Sequence, residues 1–266
     1  MSDYRLVVAV SNPASVDPLV RMGSALARAN NGSLIITSVT AVPPHIPVTA
    51  DDKFASQQEA IIDRALSVAD SLGVLAEGEA PPSHRPVRSI VSLVENTDAT
   101  GLLIGSDKLI PFEESLLGRT VPERITERAP SDVYVEQIGP GPAVPGDSVL
   151  VPVADGAHAG AMLEVASDIG TAYDMRVHLV TVVSPGADVH TIGQKEQRLR
   201  TYLNSEIRCI GKITVIPGES VVDTLVELTG GHDVTVLGPQ RILPSRNSYR
   251  VRSRPASQNG VRIHCC

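Results

Sequence analysis

Short apolar runs alternate along this chain with longer stretches in which apolar residues recur at helical spacing. Leu6-Val-Val-Ala-Val10 comes first and leads into Ser11-Asn-Pro-Ala-Ser15. A helical pattern begins near Asp17-Pro18, an N-cap and a first-turn proline, and stops at Asn30-Asn31-Gly32. Ser33-Leu-Ile-Ile-Thr-Ser-Val39 reads as a second strand. Ile61, Ile62, Ala65, Leu66, Ala69 and Leu72 then mark one face of a helix within about residues 51–73. A weak strand around Val74–Ala80, a third helix over about 86–96 and the run Gly101-Leu-Leu-Ile-Gly105 follow. A fifth run, Val133 to Ile138, closes this part of the chain.

The same order then starts again. Val149-Leu-Val-Pro-Val153 matches the first run, a helical pattern covers about Ala159 to Thr171, and Arg176-Val-His-Leu-Val-Thr-Val-Val183 matches the second strand. A helix at about 190–209 carries Ile192, Leu199, Leu203 and Ile207. Lys212-Ile-Thr-Val-Ile216, a helix at about 219–229 and Val234-Thr-Val-Leu-Gly238 complete four strands. Self-similarity of this kind marks a duplicated unit. Near-continuous apolar strands alternating with helices predict parallel sheets covered on both faces. The chain is therefore read as α/β, with two tandem units. The first spans 1–139, a Pro/Gly linker 140–147, and the second, incomplete unit 148–241. Residues 242–266 form an aberrant tail.

That tail changes the charge picture. Its 25 residues hold five Arg and no acidic residue, in a chain whose net charge is −7. The remainder has 18 basic against 30 acidic residues, which argues against a nucleic-acid partner. The tail also lacks periodicity and is read as frameshifted after about Arg241, or disordered, so that the second unit lacks its last helix and strand. In a shifted frame its codons admit Leu-Ser-Gly-Ser-Val-Pro, close to the loop the repeat requires. Aromatic residues make up 3% of the chain and Trp is absent, so the core must be built from Val, Leu, Ile and Ala. No apolar run reaches the roughly 18 residues of a membrane helix, and Met1-Ser-Asp-Tyr-Arg5 is unlike a signal peptide. A soluble, cytoplasmic protein is expected.

The stretch Gly105 to Arg124 carries the strongest chemical signal. A strand runs into a glycine loop and then a helix, a geometry that turns backbone N–H groups toward an anion. Its spacing, G-x2-K-x9-G-x-T, resembles the phosphate loop of the universal stress protein family, G-x2-G-x9-G-[ST], with Lys108 at the second glycine. The resemblance covers residues 4–138 and, less closely, 148–241. It implies adenine-nucleotide-alpha-hydrolase-like (Rossmann-like) units, each with a mostly parallel five-stranded sheet.

In that family an Asp after the first strand contacts ribose, an apolar residue near the second strand packs on adenine, and the loop holds phosphates. The Asp position falls here on Ser11 and, in the second unit, on Ala154; the apolar position falls near Val39 or Val182. Gly105 and Gly118 match the loop, and Ser106 and Thr120 supply hydroxyls. Lys108 departs, and Gly238-Pro-Gln-Arg241 repeats the departure, placing a cation in both loops. Two readings follow: Lys108 and Arg241 make charge-assisted contacts to an anion, or both merely cover their loops. The resemblance implies a stress-response or regulatory protein that acts by binding ATP or another adenine nucleotide. The alternative is an interaction module without nucleotide, working with a membrane transporter. An intramolecular pseudo-dimer of the repeats, a homodimer, and a transporter or signalling partner are the associations it implies.

No catalytic residues and no metal ligands emerge, and the chain is not read as an enzyme, weak ATP hydrolysis being the last-ranked alternative. His84, His158, His178, His190 and His232 share no metal spacing and are expected in surface or cap roles. Glu113-Glu114 reads as a solvated loop. Cys209 reads as a small core residue, and with Cys265 and Cys266 makes no disulfide framework.

Overall fold

A computed structural model describes residues 4–45, 52–106, 121–138, 146–154, 159–203, 209–238 and 260–265. The first unit runs β1 (Arg5–Ala9), a 3-10 turn (Pro13–Ser15), α1 (Val16–Ala29), β2 (Ser33–Thr37), β3 (Thr40–Ala41), α2 (Asp52–Ser71), β4 (Ala76–Glu79), β5 (Pro82–Ser83), α3 (Pro86–Asn96), β6 (Gly101–Ser106), α4 (Val121–Thr126) and β7 (Asp132–Gln137). The second runs β8 (Ser148–Pro152), α5 (Ala159–Tyr173), β9 (Arg176–Val183), α6 (Val189–Leu203), β10 (Ile210–Pro217), α7 (Val221–Thr229) and β11 (Val234–Leu237); β12 (Gly260–Cys265) follows.

One ten-stranded sheet holds both halves, in the order β10-β9-β8-β11-β12-β7-β6-β1-β2-β4. Within each half every pairing is parallel, as the apolar runs require. The halves meet at β12, which pairs parallel to β7 and antiparallel to β11. Residues 260–265 were expected within an aperiodic tail; they form a strand instead. The second unit keeps four parallel strands, and its fifth place is filled by a strand running the opposite way to β11. The physical reason is the pair of open edges on β7 and β11, whose N–H and C=O groups need partners. Gly-Val-Arg-Ile-His-Cys has the period-two alternation a strand needs to fill that gap.

Where both halves keep their elements, the repeat extends to single hydrogen bonds. Ser38 Oγ donates to the Val10 carbonyl at 2.9 Å and Thr181 Oγ1 to the Val153 carbonyl at 2.8 Å, each across 28 residues. Both bonds tie the end of the second strand of a unit to the end of its first. Helices cover the two faces unequally. On one face, Leu19 and Leu26 of α1, Ile61 and Ala65 of α2, and Leu163 and Ile169 of α5 form a core continuous across both halves. On the other, Val87, Ile90 and Val94 of α3 and Ile125 of α4 pack on Val7, Leu102, Ile104 and Val133.

Helices α1 and α5 also join across the boundary between the halves, where Asn30 Nδ2 donates to Asp168 Oδ2 at 2.8 Å and Tyr173 OH to the Arg21 carbonyl at 2.6 Å. α1 lies close to the sheet because residue 23 is glycine: a Cβ there would stand 2.9 Å from Val8 Cγ2. The weak third strand has a similar cause. Gly78 of β4 sits under Ile62 and Leu66, so α2 needs the space that a strand-forming side chain would take.

Candidate functional site

At the carboxyl edge of the first half the chain leaves β1 toward one face and β6 toward the other. α1 belongs to the core cluster on the first face and α4 to the cluster on the second. β1 and β6 are neighbours, with Ala9 beside Ile104. A crevice opens where adjacent parallel strands send their helices to opposite faces, and ligands of open α/β sheets bind there.

The loop after β1 is fixed from within. Asn12 is extended (φ −150°, ψ 159°) and its Oδ1 accepts from the Ser15 N–H at 2.9 Å, while Ser15 Oγ donates to the Asn12 carbonyl at 2.9 Å. This caps the turn that leads into α1. It leaves Ser11 exposed just past the carboxyl end of β1, with Asn12 Nδ2 at 3.5 Å from its Oγ. Ser11 supplies a hydroxyl and no charge. Below it, Val10 N donates to the Thr37 carbonyl at 2.9 Å, and buried Ser38 also meets the Gln58 side chain.

Val39, just past β2, is half-buried against the second-face core. Gly105 and Ser106 close β6 and are half-buried. A Cβ at Gly105 would stand 3.2 Å from Leu19 Cδ1 and 3.3 Å from Ile138 Cδ1. Packing of α1 therefore accounts for this glycine without a ligand. Ser11, Val39, Gly105 and Ser106 all lie at the carboxyl ends of β1, β2 and β6. Gly238 holds the corresponding half-buried place after β11, and Ala154 the exposed one after β8. Lys108, Gly118, Thr120 and Arg241 lie outside the described residues, as do Glu113, Glu114 and His158.

Sequence spacing missed two groupings. The first is a groove of about 450 Å³ lined by Ser83, His84, Arg85, Arg88 and Ser89, among others, where α3 begins. Here Ser89 Oγ donates to Ser83 Oγ at 2.8 Å, and His84 Nδ1 stands 3.0 Å from the Val42 carbonyl. The β3–β5 ladder, in which Ala41 pairs with Ser83, joins this groove to the strand end at Val39. The run His-Arg-Pro-Val-Arg was its only sequence signal.

The second grouping corrects the surface or cap role expected of His178, whereas His232 does cap α7, its Nδ1 donating to the Leu228 carbonyl at 2.7 Å. His178 is 8% exposed, and its Nδ1 meets His232 Nε2 at 2.9 Å. The two are 54 residues apart in sequence, so no local spacing could reveal them. Burial, then His232 and Lys212, pull the His178 ring down to about 4.

At the opposite, amino edge of the sheet, Tyr4, Asn30, Asp132, Tyr134, Glu164 and Asp168 line a cavity of about 270 Å³ between the halves. Burial pushes the Tyr134 hydroxyl up to about 12 and raises that of Tyr4 as well. Among the described residues no cluster of His, Cys, Asp or Glu could hold a metal ion, and no helix is long and apolar enough to cross a membrane.

Comparison with known proteins agrees with this architecture. The sequence profile of the universal stress protein family matches residues 4–135. No curated protein matches the chain. Among solved structures, a universal stress protein from Archaeoglobus fulgidus DSM 4304 is 15% identical, covering 85% of this chain and 82% of its own, with a TM-score of 0.54. A functionally unknown protein from Pseudomonas aeruginosa PAO1 is 12% identical, covering 88% and 81%, with a TM-score of 0.56. The cytoplasmic domain of a prokaryotic cation chloride cotransporter is 11% identical, covering 81% and 79%, with a TM-score of 0.55. These three likenesses speak to the fold, which runs through both halves. The first unit, over residues 4–135, belongs to the universal stress protein family.

Proposed function

We propose that this chain is a regulatory protein of the stress response that acts by binding an adenine nucleotide, ATP among them, and not by catalysis. The observation that carries the reading is the switch point between neighbouring β1 and β6, with Ser11, Gly105 and Ser106 at the carboxyl ends of these strands and Val39 just past adjacent β2. In this reading adenine packs on Val39, Ser11 bonds the sugar, and the loop from Gly105 through Gly118 and Thr120 receives the phosphates. Lys108 adds a charge-assisted contact there. Gly238 and Arg241 form a weaker second copy. The chain works in the cytoplasm, as a pseudo-dimer of its own halves or as a homodimer of such chains.

A thermal-shift titration of the full chain with ATP, with and without Mg²⁺, and with cyclic AMP tests this. Ligand at about 100 times its Kd stabilises by roughly 2.7 kcal/mol, and Gly118→Val should abolish the shift. Tighter binding by Lys108→Gly would show that the lysine obstructs the loop. No shift with any nucleotide at millimolar concentration refutes the reading.

Two observations favour a second reading, an interaction module that regulates a membrane transporter or signalling protein without nucleotide. Ser11 brings no negative charge, and Leu19 and Ile138 account for Gly105 by packing alone. Under that reading the titrations stay flat, and the protein is recovered with a transporter on cross-linking in its own cells.

A further inference from the structure

Residues of β9 alternate across the sheet. Val177 and Leu179 face the core under α5 and α6, which turns His178 to the other face, where α7 packs on β8 and β9. The hydrogen bonds around His178 fix every proton in the chain of groups. The Leu228 carbonyl can only accept, so His232 Nδ1 carries a hydrogen and donates to it at 2.7 Å. His232 Nε2 then holds a lone pair and must accept, so His178 Nδ1 donates across 2.9 Å. His178 Nε2 is left to accept from the Thr214 hydroxyl at 2.8 Å. With both rings neutral, each bond has one donor and one acceptor.

One added proton can be taken up without moving an atom far. It binds His178 Nε2 as the Thr214 hydroxyl turns to accept, the Nδ1 proton of His178 shifts across the 2.9 Å bond to His232 Nε2, and His178 is left in its other tautomer, donating from Nε2 to Thr214 Oγ1. A second proton has no place. Two N–H groups would then face each other across 2.9 Å, on two cations in contact.

The surrounding charges do not relieve this. β10 contributes Lys212, which together with His232 opposes a charge on His178. Asp233, next to His232, is bonded to the backbone N–H groups of Asp147 and Ser148 and to the Ser148 hydroxyl, at 2.8 to 3.1 Å. β8 presents uncharged Leu150 beside His178. On α7, Asp223 and Glu227 are exposed.

Helix α7 has reason to depend on this attachment. None of its residues is fully buried, and Val221, Val222 and Val226 are 54%, 68% and 64% exposed. Its N-terminal end is held by Ser220, whose Oγ accepts from the Asp223 N–H. The turn at its C-terminal end is held by His232. We propose that His178, His232 and Thr214 form a two-step proton clasp. It fastens the C-terminal end of α7 to the sheet at neutral pH and releases it in acid, once both imidazoles are charged.

The test follows the ring Cε1–H signals of His178 and His232 in the full chain by NMR from pH 8 to 3.5, with the Val222 and Val226 methyl groups as reporters of α7. The expected result is two coupled steps at least one pH unit apart, the methyl signals changing with the lower one. In His232→Gln the amide oxygen still accepts from His178 but never becomes cationic, so release of α7 moves at least one pH unit lower or vanishes. The proposal is overturned if both rings titrate in a single step at the ordinary histidine value. It is equally overturned if wild type and His232→Gln release α7 at the same pH. The wild-type ring titration decides the matter even if the variant does not fold.

Discussion

At the scale of single residues, the carboxyl edge of each half depends on one hydroxyl. Ser38→Ala and Thr181→Val each leave a carbonyl, of Val10 or Val153, without its side-chain partner. Each should cost about 1–3 kcal/mol, measured by urea unfolding, with the larger loss at Ser38, which also gives up its contact with Gln58. Asn12→Ala removes the cap on Ser15 and should cost about 1 kcal/mol; a loss below a few tenths would mean the loop after β1 is held by something else. His178 gives a pH dependence. Its ring is pulled down to about 4 in the fold and returns to about 6.5 on unfolding. Between those values the unfolded chain binds the extra proton, so stability rises with pH. The contribution is complete above pH 6.5 and lost as pH falls toward 4, amounting to roughly 2–3 kcal/mol. A His178→Gln variant with an unchanged acid limb in thermal unfolding would contradict it.

Secondary-structure elements were legible wherever their apolar period was strong. α1, β2, α3 and β6 fall within a few residues of where the sequence places them. β4 was faint because it is a partly exposed edge strand, Ala-Glu-Gly-Glu, whose glycine makes room for α2. β12 does not show in the sequence, because six residues carry too little period to stand out in an arginine-rich stretch. Its identity as a strand comes from its neighbours. Ile263→Pro tests this at the same scale. Proline removes a backbone donor from a strand paired on both sides and should cost about 3 kcal/mol or more. An unaltered melting temperature would show that β12 does not join the halves.

Across the whole molecule the halves act as one body, since a single sheet and a single first-face core run through both. Heat or denaturant should therefore unfold them together, and calorimetry should show one transition; two resolved transitions would mean that the joint at β12, Asn30–Asp168 and Tyr173–Arg21 is weak. The duplicated α/β plan is legible in the sequence, because strand and helix periods are written in neighbouring residues. The sequence also locates Ser11, Val39, Gly105 and Gly238, since the ends of parallel strands follow from the strands. Folding alone sets which strand fills the gap between β7 and β11, brings Leu19 and Ile138 against Gly105, and joins His178 to His232. Each of these depends on groups far apart along the chain. Their pairing is set by backbone edges, volume and lone pairs brought together by folding, and none of these leaves a local pattern.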